Sequence, residues 1–456
     1  MNFARLLAVL VLLVMTPAVS HAQAPDASGD WRGALAVGAA RLRVAMHLGA
    51  TSTIDSPDQG ASGIPAQMIA AGRHVTVAVP SINAAFDGDV SEDGAHLVGQ
   101  WRQGGQAFPF TLERGVFAAL NRPQTPVPPF PYRAEEVGYD NTQRVGVHLA
   151  GTLTVPEGRG PFPAVLLITG SGAQDRNEAL MGHQPFLVLA DYLSRRGFAV
   201  LRVDDRGVGG STGASPSDTT ADFATDVEAG VAFLRTRHDI DPARISLLGH
   251  SEGGLIAPMV AAHDPRIASI VLWAGPGVSG ADVLIAQLRA TLRASGASEE
   301  AIETAARRQH AVLNAVLAAP DAASARAALT TLYASVGSTP PQGQLDALTS
   351  PWFRAFIAYD PAPTLRGMRI PVLALLGGKD VQVVATQNEP ALRAALAGDR
   401  NASVVVLPGL NHLFQTAGTG AVSEYSQIDE TIAPIALQAM GDWLAAHDRG
   451  RGRAHA

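Results

Sequence analysis

Two copies of the pattern Gly-x-Ser-x-Gly each offer a serine that could act as a nucleophile. One copy is Gly-His-Ser-Glu-Gly at 249–253, and the other is Gly-Gly-Ser-Thr-Gly at 209–213. A serine of this type lies on a tight turn between a strand and a helix, where its hydroxyl is exposed. Ser251 follows the strand-like run RISLLGH and precedes the helix-like run GGLIAPMVAA, whereas Ala-Ser-Pro-Ser follows the second copy. The context therefore predicts Ser251 as the nucleophile and Ser211 as part of a loop.

A serine hydroxyl needs a base to accept its proton, and a histidine oriented by a carboxylate commonly supplies that base. In this arrangement the acid and then the histidine follow the serine along the chain, in loops after late strands. Asp380 follows the run IPVLALLGGK, and His412 follows ASVVVLPGLN. We therefore predict Asp380 as the acid, with Asp360 as the alternative, and His412 as the base. The remaining candidates fail on chain order or on context: His183, His238, His250, His310 and His447.

The developing negative charge on an attacked carbonyl needs backbone N–H donors. The run LLITGSGAQDR places Gly170, Ser171 and Gly172 directly after an early strand-like segment, and glycine lets such a loop aim its N–H groups inward. We predict the N–H groups of Ser171 and Glu252 as the two donors. The alternative, a phosphate-binding loop, requires another glycine spacing and a lysine.

Strand-like apolar runs alternate with amphipathic helical stretches from about residue 134 to 447. This alternation predicts an α/β fold with a mostly parallel sheet and helices on both faces. Residues 280–360 contain no strand-like run and are helical in pattern, so we predict a helical lid inserted between two strands. The alternative is a helical appendage with no role at the site. The strand-like runs are 163–170, 198–205, 244–250, 267–275, 370–378 and 402–409.

The chain before residue 134 has a different residue pattern. Period-two alternation, as in HVTVAVPSI, predicts a small all-β accessory domain over 23–120, either an antiparallel sandwich or a barrel. Its two tryptophans, Trp31 and Trp101, are expected in the core rather than in a ligand platform. The proline-rich run NRPQTPVPPFPYR at 121–133 predicts a stiff linker.

Residues 1–22 have the pattern of a secretory signal peptide. One arginine precedes an apolar run too short to span a bilayer, and small residues near Ala22 suit cleavage. The alternatives are an uncleaved anchor and a buried helix. We therefore expect an exported protein, periplasmic or secreted, with no stable membrane span and with a disordered tail at 448–456.

Several motifs together resemble the α/β-hydrolase superfamily over about 134–447, and more closely a bacterial group of exported serine esterases with an N-terminal β-domain. They are GSGAQDRNE (170–178), DDRGVGGSTG (204–213), GHSEGGLIAP (249–258), GLNHLF (409–414) and SPDQGASGIP (56–65). The resemblance implies a triad of Ser251, Asp380 and His412 that cleaves carboxylic esters through an acyl-enzyme. One departure is Ala173, where the group more often has proline.

Composition limits the alternatives. A net charge of −7 argues against a nucleic-acid partner, and the absence of cysteine excludes disulfides, thiolate metal sites and a cysteine nucleophile. We expect a small-molecule ester of short or medium acyl length as substrate, with no cofactor or metal. Three alternatives remain open: an exopeptidase or amidase using the same triad, a noncatalytic binding protein, and cell-wall or polymer contact through the N-terminal domain.

Overall fold

The computed structural model describes residues 26–37, 40–57, 61–118 and 120–447. The predicted signal peptide and tail lie outside the described residues, as do three residues of the SPDQGASGIP motif. The chain divides into two compact units, with the division between residues 118 and 119. Within the described ranges, no helix combines the length and the apolar character that crossing a membrane requires.

The N-terminal unit is a closed antiparallel barrel of eight strands. Each strand pairs with the next, and the last closes on the first, with Trp31 opposite Arg114. The closed barrel is one of the two all-β forms that the period-two alternation predicted. The strands are β1 (Gly29–Val37), β2 (Ala40–Leu48), β3 (Ser52–Ser56), β4 (Ala61–Ala71), β5 (His74–Val79), β6 (Ala84–Val90), β7 (His96–Gln103) and β8 (Gln106–Arg114).

Alternation along each strand fills the barrel interior. In β5 the valines at 75, 77 and 79 are fully buried, while the intervening residues are partly or fully exposed. Trp31 and Trp101 both belong to this core, as the sequence predicted. Each of these eight strands pairs with two others, so none of them is a free edge strand.

The second unit contains one eight-stranded sheet in the order β9-β10-β12-β11-β13-β14-β15-β16. The β10 strand is antiparallel to both of its neighbours, and the remaining pairs are parallel. The strands are β9 (Tyr132–Asp140), β10 (His148–Pro156), β11 (Phe162–Ile168), β12 (Ala199–Val203), β13 (Ile240–His250), β14 (Ile270–Trp273), β15 (Val372–Gly377) and β16 (Ala402–Leu407).

Helices cover both faces of this sheet, which confirms the predicted fold class. Helices α2, α3 and α10 pack on one face, and α1 and α11 pack on the other. Both faces of the central strands are therefore buried, and this explains their continuous apolar runs. These helices are α1 (Pro185–Arg195), α2 (Thr220–Thr236), α3 (Gly253–His263), α10 (Ala385–Leu396) and α11 (Pro434–His447).

The residues between β14 and β15 form six helices. Most of them share a small core of their own, which includes Leu313, Leu329 and Phe356 and packs against Leu255 of α3. The predicted insertion at 280–360 is therefore helical and seated on the carboxyl side of β13. The helices are α4 (Gly280–Ala294), α5 (Glu299–Ala318), α6 (Ala322–Ser335), α7 (Gln342–Thr349), α8 (Pro351–Ala358) and α9 (Ala362–Arg366).

The proline-rich segment at 121–133 belongs to the second unit, whereas the sequence suggested a linker. The Arg122 guanidinium donates to the backbone carbonyls of Met181 (2.7 Å) and Ile428 (2.9 Å), and the Gln124 amide donates to that of Ile432 (2.7 Å). These bonds hold the segment on the surface of the unit. Proline content gave no sign of them, because the donors are the intervening polar side chains.

Candidate active site

Ser251 lies on the sharp turn between β13 and α3. Its φ is +52°, a left-handed conformation that is costly for a residue with a side chain. The backbone fixes this turn from both sides: the Ser251 N–H donates to the carbonyl of Trp273 (2.9 Å), and the Ser251 carbonyl accepts from the N–H of Gly254 (2.9 Å). The strained turn presents the side chain at the carboxyl edge of the sheet.

The two glycines of the pentapeptide are required by close backbone approach. A methyl group at Gly249 would overlap the carbonyl oxygen of Gly253, and one at Gly253 would overlap that of Ile168. The turn thus folds directly onto the end of β11, with no space for a side chain at either position. This packing distinguishes Ser251 from Ser211, whose hydroxyl is buried and bonded to the carbonyl of Asp204 (2.8 Å) and the N–H of Ala150 (2.9 Å).

Asp380 and His412 meet at the same edge of the sheet, in the loops after β15 and β16. His412 Nδ1 lies 2.8 Å from Asp380 Oδ2, and both side chains are buried. The other carboxylate oxygen, Oδ1, accepts from the N–H groups of Gln382 (2.7 Å) and Val383 (2.9 Å). The carboxylate can only accept from Nδ1–H, so this bond leaves Nε2 of His412 as the free, basic nitrogen.

Ser251 and His412 open on one cavity of about 280 Å³, which we call the nucleophile cavity. Among the described residues, neither the Ser251 hydroxyl nor His412 Nε2 has a hydrogen-bond partner. Asp380 stands behind the imidazole. The cavity is also lined by Ser171 and Glu252 and by apolar lid side chains: Val283, Leu284, Trp352 and Phe356.

The loop after β11 carries the predicted donors. The Gly170 N–H is already bonded to Glu178 Oε1 (2.7 Å), which fixes the loop at its first residue. Within the described ranges, the N–H groups of Ser171 and Glu252 have no acceptor. Both residues line the nucleophile cavity, so these two N–H groups are available to a ligand there.

A buried pair, Glu178 and His250, was missed by the sequence analysis. Glu178 Oε1 lies 2.8 Å from His250 Nδ1, and His250 Nε2 lies 3.2 Å from the backbone oxygen of His412. Burial disfavours a charged His250, but the Glu178 carboxylate outweighs it and raises the pKa of the imidazole. The pair thus joins the loops that carry Gly170, Ser251 and His412. Its only sequence signal is the glutamate that ends the motif GSGAQDRNE.

Glu252 links the turn to the lid. Its Oε1 accepts from the Thr220 hydroxyl of α2 (2.6 Å) and from the Trp352 indole N–H of α8 (2.9 Å). Its side chain therefore bonds to neighbouring helices and not within the turn itself, while its second oxygen has no hydrogen-bond partner among the described residues.

The segment that contains Asp205 and Arg206 holds loops together. Asp205 accepts from the Thr169 hydroxyl (2.6 Å) and from the Gln174 N–H (2.9 Å), while Arg206 pairs with Asp218 and Asp226. Burial, with the negative charges of Glu178 and Glu252 nearby, raises the pKa of Asp205 to about 7. Asp205 thus braces the loop that carries Ser171.

The arrangement of the sheet decides the fold family. Counted along the chain, the strands of the second unit lie in the order first, second, fourth, third, fifth to eighth, and only the second runs opposite to the others. The strained serine follows the fifth strand, the aspartate the seventh and the histidine the eighth. The second unit has the α/β-hydrolase fold. This confirms the fold that the sequence motifs implied.

Comparison with known proteins agrees with this α/β-hydrolase assignment. Residues 184–336 match the sequence family described as serine aminopeptidase, S33. The matched part includes Ser251 but neither Asp380 nor His412. Esterase EstD of Thermotoga maritima is 29% identical over 265 residues, which cover 58% of this chain and 58% of that esterase. The match thus spans less than two thirds of that relative.

The solved structures that the chain matches include one titled an α/β hydrolase and one titled an esterase. The α/β hydrolase GrgF from Penicillium sp. sh18 is 15% identical, with 69% of this chain and 99% of that chain covered and a TM-score of 0.45. An esterase of Pyrococcus furiosus is 15% identical, with 73% of this chain and 100% of that chain covered and a TM-score of 0.44.

Proposed function

We propose that this α/β hydrolase is a serine carboxylesterase in which Ser251 is the nucleophile, His412 the base and Asp380 the residue that orients the base. The observation that carries this proposal is the Asp380–His412 hydrogen bond of 2.8 Å beside a serine in a strained turn, with both His412 and Ser251 on one cavity. The relationship to an esterase supports the choice of substrate class.

In the proposed reaction, His412 Nε2 accepts the Ser251 proton as the hydroxyl oxygen attacks the ester carbonyl. The resulting oxyanion lies against the N–H groups of Ser171 and Glu252. Collapse of this intermediate breaks the carbonyl–alkoxy bond, and the leaving alcohol takes the proton from His412. A water molecule, deprotonated by the same imidazole, then releases the acid and restores Ser251. Each N–H donor of this kind lowers the barrier by about 3 kcal/mol.

An exopeptidase or amidase on the same residues is the second candidate. The observation that favours it is the unpartnered oxygen of Glu252, which borders the nucleophile cavity and could receive a substrate amine. In that case Glu252→Gln would abolish turnover of aminoacyl p-nitroanilides. We favour the ester because the Glu252 carboxylate is already engaged by Thr220 and Trp352 through its other oxygen.

The decisive experiment is hydrolysis of p-nitrophenyl acetate, butyrate and decanoate by the mature protein, by Ser251→Ala and by Ser211→Ala. The proposal requires loss of activity in Ser251→Ala alone. Equal activity in all three proteins would reject the nucleophile. A folded protein that cleaves no ester would favour the peptidase or the noncatalytic binding protein.

We also propose that the protein is exported, by cleavage near Ala22, and that the barrel contacts a cell-wall polymer. N-terminal sequencing of the protein recovered from the periplasm or medium tests the first proposal. Cosedimentation of the full mature chain with peptidoglycan tests the second, and a chain that stays in the supernatant would reject it.

A further inference from the structure

A second cavity, of about 340 Å³, lies behind the loop that carries Ser171. We call it the side cavity. Its inner wall comes from β10, β11, α2 and α3, and its outer rim includes the exposed residues Ala173, Ala214 and Pro216. The inner wall is apolar: Leu149, Leu166, Ile168, Phe223, Val227 and Ile256.

The side cavity adjoins the nucleophile cavity. Gly170, Glu252 and Trp352 line both of them. Gly170 precedes one of the two available N–H donors and Glu252 carries the other, so the shared wall lies next to the carbonyl of a substrate bound at Ser251. These three shared residues are thus the place where a chain attached to that carbonyl would pass from the nucleophile cavity to the side cavity.

Polar groups on the side cavity are largely used within the protein. Asp204 pairs with Arg176, Asp205 bonds to Thr169 and Gln174, and Arg206 pairs with two aspartates. Among the described residues, two polar groups on the side cavity have no hydrogen-bond partner: one carboxylate oxygen of Glu252, a residue that also lines the nucleophile cavity, and the hydroxyl of Tyr139. The inner wall thus offers contact surface for hydrocarbon and few hydrogen bonds.

An apolar space of this size lowers the stability of the fold when it is empty, because the surrounding side chains lose contacts. Apolar cavities of a few hundred Å³ with a few polar groups at one end are typical of ligand sites. Because the cavity lies beside the proposed nucleophile, ligand binding would account for a space that costs the fold stability.

We propose that the side cavity binds an unbranched hydrocarbon arm of the ester, so that the preferred substrates carry a medium-length aliphatic chain on one side of the carbonyl. The proposal rests on the proposed esterase function. The arm could be the acyl chain or the alcohol chain. Both have the same hydrocarbon chemistry, and they are separated by the experiment.

The experiment compares two series of esters on the mature protein: p-nitrophenyl acetate to decanoate, which lengthen the acyl chain, and butyl to octyl acetate, which lengthen the alcohol. In the series whose arm enters the side cavity, kcat/KM should rise by about fourfold for each added methylene until the cavity is full. A flat response in both series would overturn the proposal.

Val227→Phe places a larger side chain on the inner wall and so reduces the volume of the side cavity. It should remove the dependence of kcat/KM on chain length. The matched control is Ala221→Phe, which places the same aromatic ring on the exposed side of the same helix and should keep that dependence. Thermal unfolding shows whether Val227→Phe folds. If it does not, Ala214→Leu at the exposed rim replaces it. Retention of the full chain-length response in the folded cavity variant would contradict the proposal.

Calorimetric binding of octan-1-ol to the Ser251→Ala protein separates this proposal from the esterase function. Octanol binding to Ser251→Ala that is lost on adding Val227→Phe, together with a parent protein that cleaves no ester, would support the cavity and reject the function. Ester cleavage that depends on Ser251, with no octanol binding and no chain-length response, would support the function and reject the cavity.

Discussion

The imidazole rings of His250 and His412 lie 4.7 Å apart, centroid to centroid, and the first also contacts the backbone oxygen of the second. The residue before the proposed nucleophile therefore supports the proposed base. Trp273 packs on the same His250 ring at 4.7 Å. This contact, with the Glu178 carboxylate behind it, means that His412 is positioned from both sides: by Asp380 through Nδ1 and by His250 through its main chain.

The first prediction concerns Glu178→Gln, which keeps an oxygen for the Gly170 N–H but removes the charge that raises the pKa of His250. Without that charge, burial is the largest remaining influence on the His250 imidazole, so the pKa of His250 should be lower in the variant than in the parent. NMR titration of the His250 ring protons measures this change, and Glu178→Asp should behave more like the parent than Glu178→Gln. An unchanged His250 titration would mean that the pair acts only through packing.

The second prediction concerns Asp205→Asn. In the folded protein the pKa of Asp205 is raised to about 7, so ionisation of Asp205 costs stability as pH rises from about 4, its unfolded value, towards 7. The asparagine does not ionise. It should gain about 1–3 kcal/mol relative to the parent between pH 5 and pH 8. Urea unfolding of both proteins at the two pH values checks this, and a constant difference would contradict it.

The third prediction concerns Gly253→Ala, which places a methyl group on the carbonyl oxygen of Ile168. Relief requires the turn to move away from β11, so we expect a loss of about 2 kcal/mol or more in unfolding free energy and of most esterase activity. Gly398→Ala is the control, because nothing lies within 4 Å of a methyl group there. Equal stability of the two variants would show that the close packing of the turn is not needed.

The fourth prediction concerns Trp352→Phe, which removes the indole N–H that holds α8 to Glu252. Hydrogen exchange in α8 should become faster, because a bond to a carboxylate contributes about 1.5–3 kcal/mol. Trp443→Phe is the control: its indole nitrogen is buried with no hydrogen-bond partner among the described residues, so its loss leaves α8 unaffected. Unchanged exchange in the Trp352 variant would mean that apolar packing alone holds the helix.

Much of this site could be predicted because each of its main residues is marked by the sequence directly around it. Ser251, Asp380 and His412 each follow a recognisable apolar strand, so the sequence predicted the loops in which they lie. Long-range pairs are different: Glu178 and His250 are 72 residues apart, and Glu252 and Trp352 are 100 apart. No spacing rule links residues at such separations, because their contact depends on how the strands and helices pack.

The first two strands of the eight-stranded sheet were missed for a related reason. β9 alternates between exposed and partly buried positions and has no continuous apolar run. β10 is mostly buried, but glycine and threonines interrupt its apolar residues. Strands near this edge of the sheet are buried less evenly than the central ones, so continuous apolar runs indicate the central strands and not β9 and β10.

Pairing of β1 with β8 means that the polypeptide enters and leaves the barrel at neighbouring positions, since Trp31 is opposite Arg114. A unit whose two chain ends emerge side by side can be excised, transplanted or circularly permuted with little change to its own hydrogen bonds. Joining these ends by a short linker and opening the hairpin at the exposed Gly104–Gly105 turn should yield a barrel that still folds. The barrel can therefore be replaced or transferred as a single unit.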